Sequence, residues 1–321
     1  MTKKAKHDTA RRGRRHKPGA SPGRLAIPGT GAFTARKLAP LFNAYSATSG
    51  ATKAITVPHA STFEGLREVT ISGRLLPKQI VRLDLENGKR TASRLGDGSY
   101  KPSPDGDIHL CLGTKPGQAH IACEVQNAKA WAAMFNRAIG QQIVITGFFR
   151  SLFEHPGFNS NDDAHIFEVH PVRAVTIDGQ IIPFDVDIPD QASIHTWTSP
   201  HDLNVQDGKI QVVANAAKDT LAFSHMDGQD ENYVRVCGTI TNIQIPDALS
   251  GPATFTFTST DVGHPLEGIC LHGTRAIKQL AQIGAGATVN MIALRNIDLI
   301  KAAQGEYVIS LLAIDIQLGS H

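Results

Sequence analysis

Alternating apolar and polar residues mark the opening strand of each of two similar halves of this chain. In residues 69–75 (VTISGRL) and 234–240 (VRVCGTI), apolar side chains fall on one face and polar side chains on the other. This period of two is typical of a half-buried strand. Each segment carries a central glycine, Gly73 or Gly238. Glycine lets a strand bend sharply, which the corner of a barrel requires.

The same order of elements follows each opening strand. In the first half, we predict a helix at 128–139 that ends at Gly140, and strands at 107–112, 120–125, 143–149 and 165–177. In the second half, we predict a helix at 275–283 that ends at Gly284, and strands at 254–260, 266–271, 288–294 and 307–316. This β-β-β-α-β-β order resembles the oligonucleotide/oligosaccharide-binding (OB) fold. The resemblance implies five-stranded barrels that bind ligands between loops one–two and four–five.

We therefore predict a mainly β protein with two tandem OB-like barrels, each with one short helix. The expected boundaries are a disordered basic arm at 1–50, a first barrel at 60–178, a connector at 179–230 and a second barrel at 231–318. The connector contains an expected β-hairpin, formed by residues 209–214 and 220–224. Residues 84–106 are rich in Asn-Gly and Asp-Gly pairs, which predict a long loop.

The charge of the chain is unevenly distributed. The formal net charge is only +3, but residues 1–37 contain eleven Lys or Arg and one acidic residue, Asp8. Removing these from the 32 basic and 29 acidic residues leaves residues 38–321 with 21 and 28, a net charge of about −7. The arm also has too few apolar side chains to offset the entropy of ordering it. A basic arm on an acidic body favours contacts between the arm and phosphate groups.

Cysteine spacing and hydropathy indicate the compartment. Cys111, Cys123, Cys237 and Cys270 form no C-x-x-C pair, which argues against a zinc knuckle or a disulfide framework. The basic start is not followed by the apolar core of a secretory signal. No apolar run approaches the roughly 20 residues that cross a bilayer. These observations predict a cytoplasmic protein with reduced thiols and no membrane partner.

The first half contains a group of potential metal ligands. Alternation places Asp107 and His109 on one face of a strand, Glu124 in the next strand, and Glu168 with His170 in the last. If these polar faces converge, their imidazole and carboxylate groups would suit Zn, Mn or Fe. The alternative is a half-solvated barrel face or a hydrogen-bonded His–Glu pair, because no local spacing such as H-x-x-x-H enforces chelation.

Two of these segments also resemble a recurrent signature. The segments DGDIHL (105–110) and EVHPV (168–172), with Glu124 between them, resemble uncharacterised prokaryotic proteins in which a Glu-x-His-Pro-Val strand closes a small β-domain. The resemblance implies that the segments belong to one unit. Pro171 lacks a backbone donor, so we expect its strand to end, bulge or lie at an edge there.

Candidate nucleic-acid contacts come from both the arm and the barrels. The arm cations that we expect to neutralise phosphates are Arg11, Arg12, Arg14, Arg15 and Lys17. The candidate groove contacts in the barrels are Arg74, Arg150, Phe153, Arg235 and Phe255. Phenylalanines in such a groove would stack on bases. Against this interpretation, some of them must belong to the core, and the acidic body is unlike a basic groove.

The sequence favours a non-enzymatic protein that binds nucleic acid, prefers single strands and needs no cofactor. It contains no nucleophile elbow, P-loop or G-x-G-x-x-G motif. Two alternatives stay open. One is a metal-dependent hydrolase or metal-stabilised domain that uses a divalent metal at the Asp/His/Glu group. The other is a scaffold that holds protein partners at barrel edges or at the connector.

Overall fold

A computed structural model provides the structure of the chain. It describes residues 31–34, 54–58, 67–78, 82–84, 91–93, 97–104, 106–114, 121–154, 165–188, 194–196, 211–224, 233–248, 251–259 and 264–319. Within these residues, no helix is long and apolar enough to cross a membrane.

The described residues form short strands with few helices. The elements of the first half and the connector are β1 (Gly31–Thr34), β2 (Ala54–Pro58), β3 (Glu68–Leu75), β4 (Arg82–Asp84), β5 (Thr91–Ser93), β6 (Ile108–Gly113), β7 (Ile121–Val125), α1 (Ala132–Ala138), β8 (Gln142–Glu154), β9 (His165–Ile177), β10 (Gln180–Pro183), β11 (Ile194–Thr196), β12 (Gln211–Asn215) and β13 (Thr220–Ser224). The elements of the second half are β14 (Tyr233–Gln244), β15 (Ala253–Thr258), β16 (Leu266–Cys270), α2 (Arg275–Leu280), β17 (Thr288–Ile297), α3 (Leu299–Ala303) and β18 (Ile309–Leu318).

Five strands of the first half close into a barrel. Strand β3 pairs antiparallel with both β6 and β8, and β6 pairs antiparallel with β7. Strand β9 then lies between β7, to which it is parallel, and β8, to which it is antiparallel. The circular order β3-β6-β7-β9-β8 is that of the OB fold. The first predicted barrel is therefore confirmed.

The second half repeats this closure strand for strand. Its circular order is β14-β15-β16-β18-β17, and β16 with β18 is again the parallel pair. The predicted helices are also present between the third and fourth barrel strands. Helix α1 follows a 3₁₀ turn at Lys129–Trp131 and buries Phe135 and Ala138, whereas α2 ends at Leu280, three residues before the predicted end.

The bulge expected near Pro171 is confirmed. Strand β9 continues through the proline, but its register with β8 shifts between Thr146 and Gly147 and again between Gly147 and Phe149. Because proline offers no N–H to the neighbouring strand, the ladder is interrupted there while the strand continues.

Several short elements differ from the predictions. Residues 31–34, which the sequence assigns to a disordered arm, form β1 and pair in parallel with β3, so that prediction is wrong at these four residues. The predicted loop at 84–106 contains β5, which pairs with β4. Helix α3 is too short to leave a periodic pattern. Its start is fixed by the Asp298 carboxylate, which accepts hydrogen bonds from the N–H groups of Ile300 and Lys301 at 2.9 and 3.0 Å.

The predicted connector hairpin is confirmed as β12 and β13, and it gains a third strand from the other half. Strand β2, which precedes the first barrel, pairs antiparallel with β13, with Thr56 opposite Ala222. The side chains of Leu221 and Phe223 are buried in the main apolar core. The segments that precede the two barrels are thus joined in one small sheet.

A substitution at Gly238 would test how tightly the second barrel is packed. A Cβ atom at this position would lie 2.7 Å from the Phe257 ring and would meet the carbonyl oxygen of Thr258. We expect Gly238→Ala to lower the free energy of unfolding by about 1–3 kcal/mol, since the well-packed barrel cannot move away freely. Urea unfolding followed by circular dichroism measures this change. The control is Gly284→Ala, where a Cβ meets no atom within 4 Å. If the two variants lose equal stability, the steric explanation fails.

Candidate functional site

Four of the five potential metal ligands predicted from the sequence come together, namely His109, Glu124, Glu168 and His170, whereas the Asp107 carboxylate accepts a hydrogen bond from the Asn127 N–H. His109 on β6 lies opposite Glu124 on β7, Glu168 and His170 follow on β9, and Asp107 immediately precedes β6. The side chains of His109, Glu124, Glu168 and His170 lie on the outer side of the barrel, opposite in alternation to the core residues. All five residues except the half-buried His109 are buried.

These polar residues are buried because the second barrel packs on this face of the first. The Arg150 Nε donates to the carbonyl oxygen of Arg295 at 2.8 Å. The Ser151 N–H donates to the side-chain oxygen of Asn296, also at 2.8 Å. Strand β8 of the first barrel therefore lies against β17 of the second. The group of residues is an inter-barrel contact.

Arg150 lies at the centre of the group. It is fully buried, and its Nη1 lies 2.6 Å from the Glu168 carboxylate and 3.2 Å from the Nδ1 of His170. The same His170 nitrogen is 3.1 Å from Glu168 and 3.3 Å from Glu124, whose carboxylate also lies 3.0 Å from His109. The guanidinium is thus surrounded by acceptors, as a buried cation requires. We call Arg150, Glu168, His170, Glu124 and His109 the ion network.

One polar group from each barrel completes the far side of the ion network. The side-chain amide of Gln126 donates to the Tyr233 hydroxyl, and the same hydroxyl lies 3.4 Å from the Nε2 of His170. The His170 and Tyr233 rings meet edge to face with centroids 6.2 Å apart. Tyr233 is the first residue of β14, so this contact ties the opening strand of the second barrel to β9 of the first.

An apolar cluster lies beside the ion network. From the first barrel it receives Phe148, and from the connector Val186. The second barrel contributes the outward side chains of the strands equivalent to β7, β9 and β8, namely Ile269, Leu271, Leu294, Leu312 and Ile314, together with Tyr233. The same strands of the duplicated barrel thus form both sides of the contact. They carry charged groups in the first barrel and aliphatic groups in the second.

Charge pairing sets the protonation of the network. Burial alone would lower the pKa of His109, but the neighbouring Glu124 carboxylate raises that pKa to about 9. Burial alone would raise the pKa of Glu124, but His170 and His109 lower it to about 2. Desolvation, with the nearby carboxylates of Glu124 and Asp107, raises the pKa of Tyr233 well above its usual value. At neutral pH, Glu124 is therefore ionised and Tyr233 is a neutral hydroxyl.

Three members of the network have ligand atoms close enough to share a cation. One ligand atom each of Glu124, Glu168 and His170 lies within 4.8 Å of the others. The positive charge among these atoms is supplied by the Arg150 guanidinium, which already contacts Glu168 and His170. Such an arrangement is typical of a structural ion pair that needs no further cation. Binding of a divalent metal stays a prediction of the sequence.

The candidate nucleic-acid contacts fall into three groups. Arg74 and Arg235 lie on the first strand of their barrels, and both are exposed. The prediction of a groove contact is wrong for Arg150, which is fully buried in the ion network. It is also wrong for Phe255, which is 3% exposed and packs inside the second barrel next to Gly268. Alternation on β15 points this ring inwards.

The remaining candidates lie outside the described side chains. The arm cations Arg11, Arg12, Arg14, Arg15 and Lys17 fall outside the described residues. Phe153 belongs to β8, but its side chain is not among those described.

Several interface residues could not be found from the sequence. Gln126, Tyr233, Arg295 and Asn296 each complete the inter-barrel contact. Asn296 also donates to Ser310 at 2.9 Å, which fixes its amide. One signal was present: the outward positions Ile292 and Leu294 on β17 and Leu312 and Ile314 on β18 are aliphatic, although a solvated barrel face should be polar.

Comparisons with known proteins give weak similarities. No protein-family model matches the chain, and no curated protein is similar to it. Among solved structures, the chain resembles the Stn1–Ten1 complex of S. pombe with 15% identity and a TM-score of 0.22, over 28% of this chain and 60% of that chain. It resembles the mitochondrial single-stranded DNA-binding protein Rim1 of S. cerevisiae with 16% identity and a TM-score of 0.22, over 27% and 91%.

A third solved structure aligns along most of the chain. A deletion mutant of the single-stranded DNA-binding protein from Thermus aquaticus matches 80% of this chain and 95% of its own length, with 15% identity and a TM-score of 0.21. Because all three TM-scores are low, the fold assignment rests on the strand order and register given above.

The contribution of Arg150 can be measured directly. We expect Arg150→Met to lower the free energy of unfolding by about 3–5 kcal/mol, because it leaves the Glu168 carboxylate buried without its cation. In the double variant Arg150→Met/Glu168→Leu, part of this loss should be recovered. Urea unfolding measures both. The control is Arg74→Met at an exposed arginine, where we expect a change within about 0.5 kcal/mol. Wild-type stability of Arg150→Met would contradict the assignment.

The ion network also predicts how stability depends on pH. The raised pKa of His109 gives stability that is complete below pH 6.5 and is lost as the pH rises towards about 9. The lowered pKa of Glu124 gives stability that is complete above pH 4.5 and is lost as the pH falls towards about 2.

The free energy of unfolding should therefore be highest between these windows. His109→Gln should flatten the alkaline limb and weaken the acid limb in part, because His109 helps to lower the pKa of Glu124. Glu124→Gln should flatten both limbs. Urea unfolding across this pH range tests the prediction, and an unchanged alkaline limb in His109→Gln would refute it.

Proposed function

We propose that this chain binds nucleic acid without catalysing a reaction, that it prefers single strands, and that its basic arm adds affinity that is independent of sequence. The observation that carries the proposal is the combination of two closed OB barrels with a strongly basic segment at 1–37. OB barrels present strand faces to oligonucleotides or oligosaccharides. The eleven cations of the arm favour oligonucleotides over oligosaccharides, because only the former carry a phosphate on every unit.

The distribution of charge supports this choice of ligand. Residues 38–321 have a net charge of about −7, so the barrels alone would repel a polyanion at long range. The cations of the arm replace this repulsion of a polyanion with attraction at one end of the chain. Neutralising phosphates releases condensed counterions, and this release gives the arm affinity that decreases steeply with salt.

Exposed arginines on the barrels add to the affinity for nucleic acid that the arm provides. Arg74 and Arg235 lie on the first strand of the first and second barrels, where they can reach a strand that the arm has attracted. We assign phosphate contacts to both. We assign a preference for single strands because OB barrels bind single strands through a cationic surface that follows the backbone.

The proposal predicts a strong salt dependence that resides in the arm. Electrophoretic shifts with single-stranded DNA, single-stranded RNA and duplex DNA measure the affinity of the full chain and of a variant that lacks residues 1–30, which removes nine of the eleven arm cations and keeps β1. Each phosphate contact on a single strand contributes about −0.7 to the slope of log affinity against log salt. If about half of the arm cations engage, deletion should reduce the slope by roughly 3–4.

A matched control separates charge from chain length. The variant Arg11→Gln/Arg12→Gln/Arg14→Gln/Arg15→Gln keeps the arm at its full length and, with the same half of the cations engaged, should lose roughly 1.4 of the slope. Affinity that does not depend on salt, or a preference for duplex DNA, would contradict the proposal.

A further inference from the structure

The contact between the barrels uses part of the surface on which OB barrels bind their ligands. That surface is centred on the second and third strands. The third strands are β7 and β16, and their outward residues are buried, including Glu124 at 4% and Ile269 at 0% exposure. On the second strand of the first barrel, β6, Cys111 is 1% exposed and His109 contacts Glu124. The inter-barrel contact therefore covers the outer side of the third strand of each barrel, and a ligand cannot lie across that strand without separating the barrels.

A different face stays open on the first barrel. The outward side chains of β3 and β8 lie opposite one another in the pairs Arg74 with Gln142, Ser72 with Val144, and Thr70 with Thr146. Arg74 and Gln142 are exposed, and the others are partly exposed. The two threonine hydroxyls lie 3.0 Å apart. These six positions carry one positive charge and no carboxylate.

The second barrel has the equivalent face. Strand β14 pairs with β17 so that Arg235 lies opposite Ile292, Cys237 opposite Asn290, and Thr239 opposite Thr288. Arg235, Cys237 and Asn290 are exposed. These six positions again carry one arginine and no carboxylate, although the barrels and connector together are acidic. The first and fourth strands of both barrels thus present a polar surface that suits a phosphate backbone.

On the basis of the proposed function, we infer that the nucleic acid lies where the first strand of each barrel pairs with the beginning of the fourth, on the outer side of residues 70–74 with 142–146 and of residues 235–239 with 288–292. The later part of each fourth strand lies in the inter-barrel contact. Arginine contacts phosphates as a charged donor, and threonine hydroxyls and asparagine amides donate to the same oxygens. Each chain therefore holds two contact surfaces that the inter-barrel contact leaves free. The contact joins the two into one binding unit of fixed geometry.

The exposed cysteine provides a reporter within one of these surfaces. Of the four cysteines of the chain, Cys237 is exposed and the other three are buried. We would measure its rate of alkylation by iodoacetamide, by mass spectrometry, with and without an oligothymidylate at low salt. At an oligonucleotide concentration of about 20 times Kd, alkylation should slow by roughly 20-fold.

The first barrel and a control position require engineered reporters. In a Cys237→Ser background, Gln142→Cys places a thiol on β8 within the first surface, and we expect the same protection. Ala130→Cys places one on the exposed 3₁₀ turn before α1 and should react at the same rate with and without oligonucleotide.

Substitution of the two arginines tests the surfaces by affinity. Arg74→Ala and Arg235→Ala should each weaken oligothymidylate binding by about tenfold, because each removes a charged hydrogen bond to phosphate. The matched control is Arg137→Ala, an exposed arginine on α1 outside both surfaces, which should bind as the wild type does.

The outcomes separate this inference from the proposed function. If oligothymidylate is bound while Cys237 and the Gln142→Cys thiol react at their free rates, the surfaces are wrong and nucleic-acid binding stands. If no binding occurs at low salt, both are overturned. If Cys237 becomes protected without oligonucleotide as the protein concentration rises, a second copy of the chain covers this face, and the assignment to nucleic acid is overturned.

Discussion

The buried guanidinium of Arg150 determines how the two halves of the chain fit together. Removing such a cation from water is costly, and the cost is offset only where acceptors surround it. Here the Glu168 carboxylate and a backbone carbonyl of the second barrel supply those acceptors. Because one acceptor belongs to the other barrel, the cation is fully satisfied only when both barrels are in place. The interaction thus selects one relative arrangement of the barrels.

The duplicated barrel has diverged most where its two copies meet. The third, fifth and fourth strands of each barrel face one another, yet the first copy presents Glu124, Glu168 and Arg150 while the second presents aliphatic side chains. Two identical copies would have placed charged side chains against charged side chains, or aliphatic side chains against aliphatic side chains. The actual pair combines a polar network with an apolar cluster, which gives both strength and a defined register.

The sequence predicted the barrels well because their signals are local. A period of two, a central glycine such as Gly238 and a helix before Gly140 each depend on nearby residues. It also predicted that the His and Glu residues of the first half converge. It could not predict their role, because the partners of this group lie on strands far away in the chain. The prediction of a groove contact for Arg150 failed because no nearby residue indicates that a second barrel covers this position.

Short pairings were missed for a related reason. Strands of three to five residues, such as β1 and β11, have too few positions to establish a period, and their pairing depends on a vacant edge of another strand. In both barrels this edge belongs to the first strand, and it is filled by a parallel segment from upstream. Such an addition follows from closure of the barrel and leaves little trace in composition.

The small sheet of β2, β12 and β13 has a topological consequence. Since β2 precedes the first barrel and pairs with β13, which precedes the second, the pairing closes a long loop of chain that contains the whole first barrel. The lengths of the two upstream segments are therefore mutually constrained, and an insertion in one must be absorbed without shifting the other. Closing so distant a pairing is entropically slow, so this sheet belongs to the last part of the molecule to assemble.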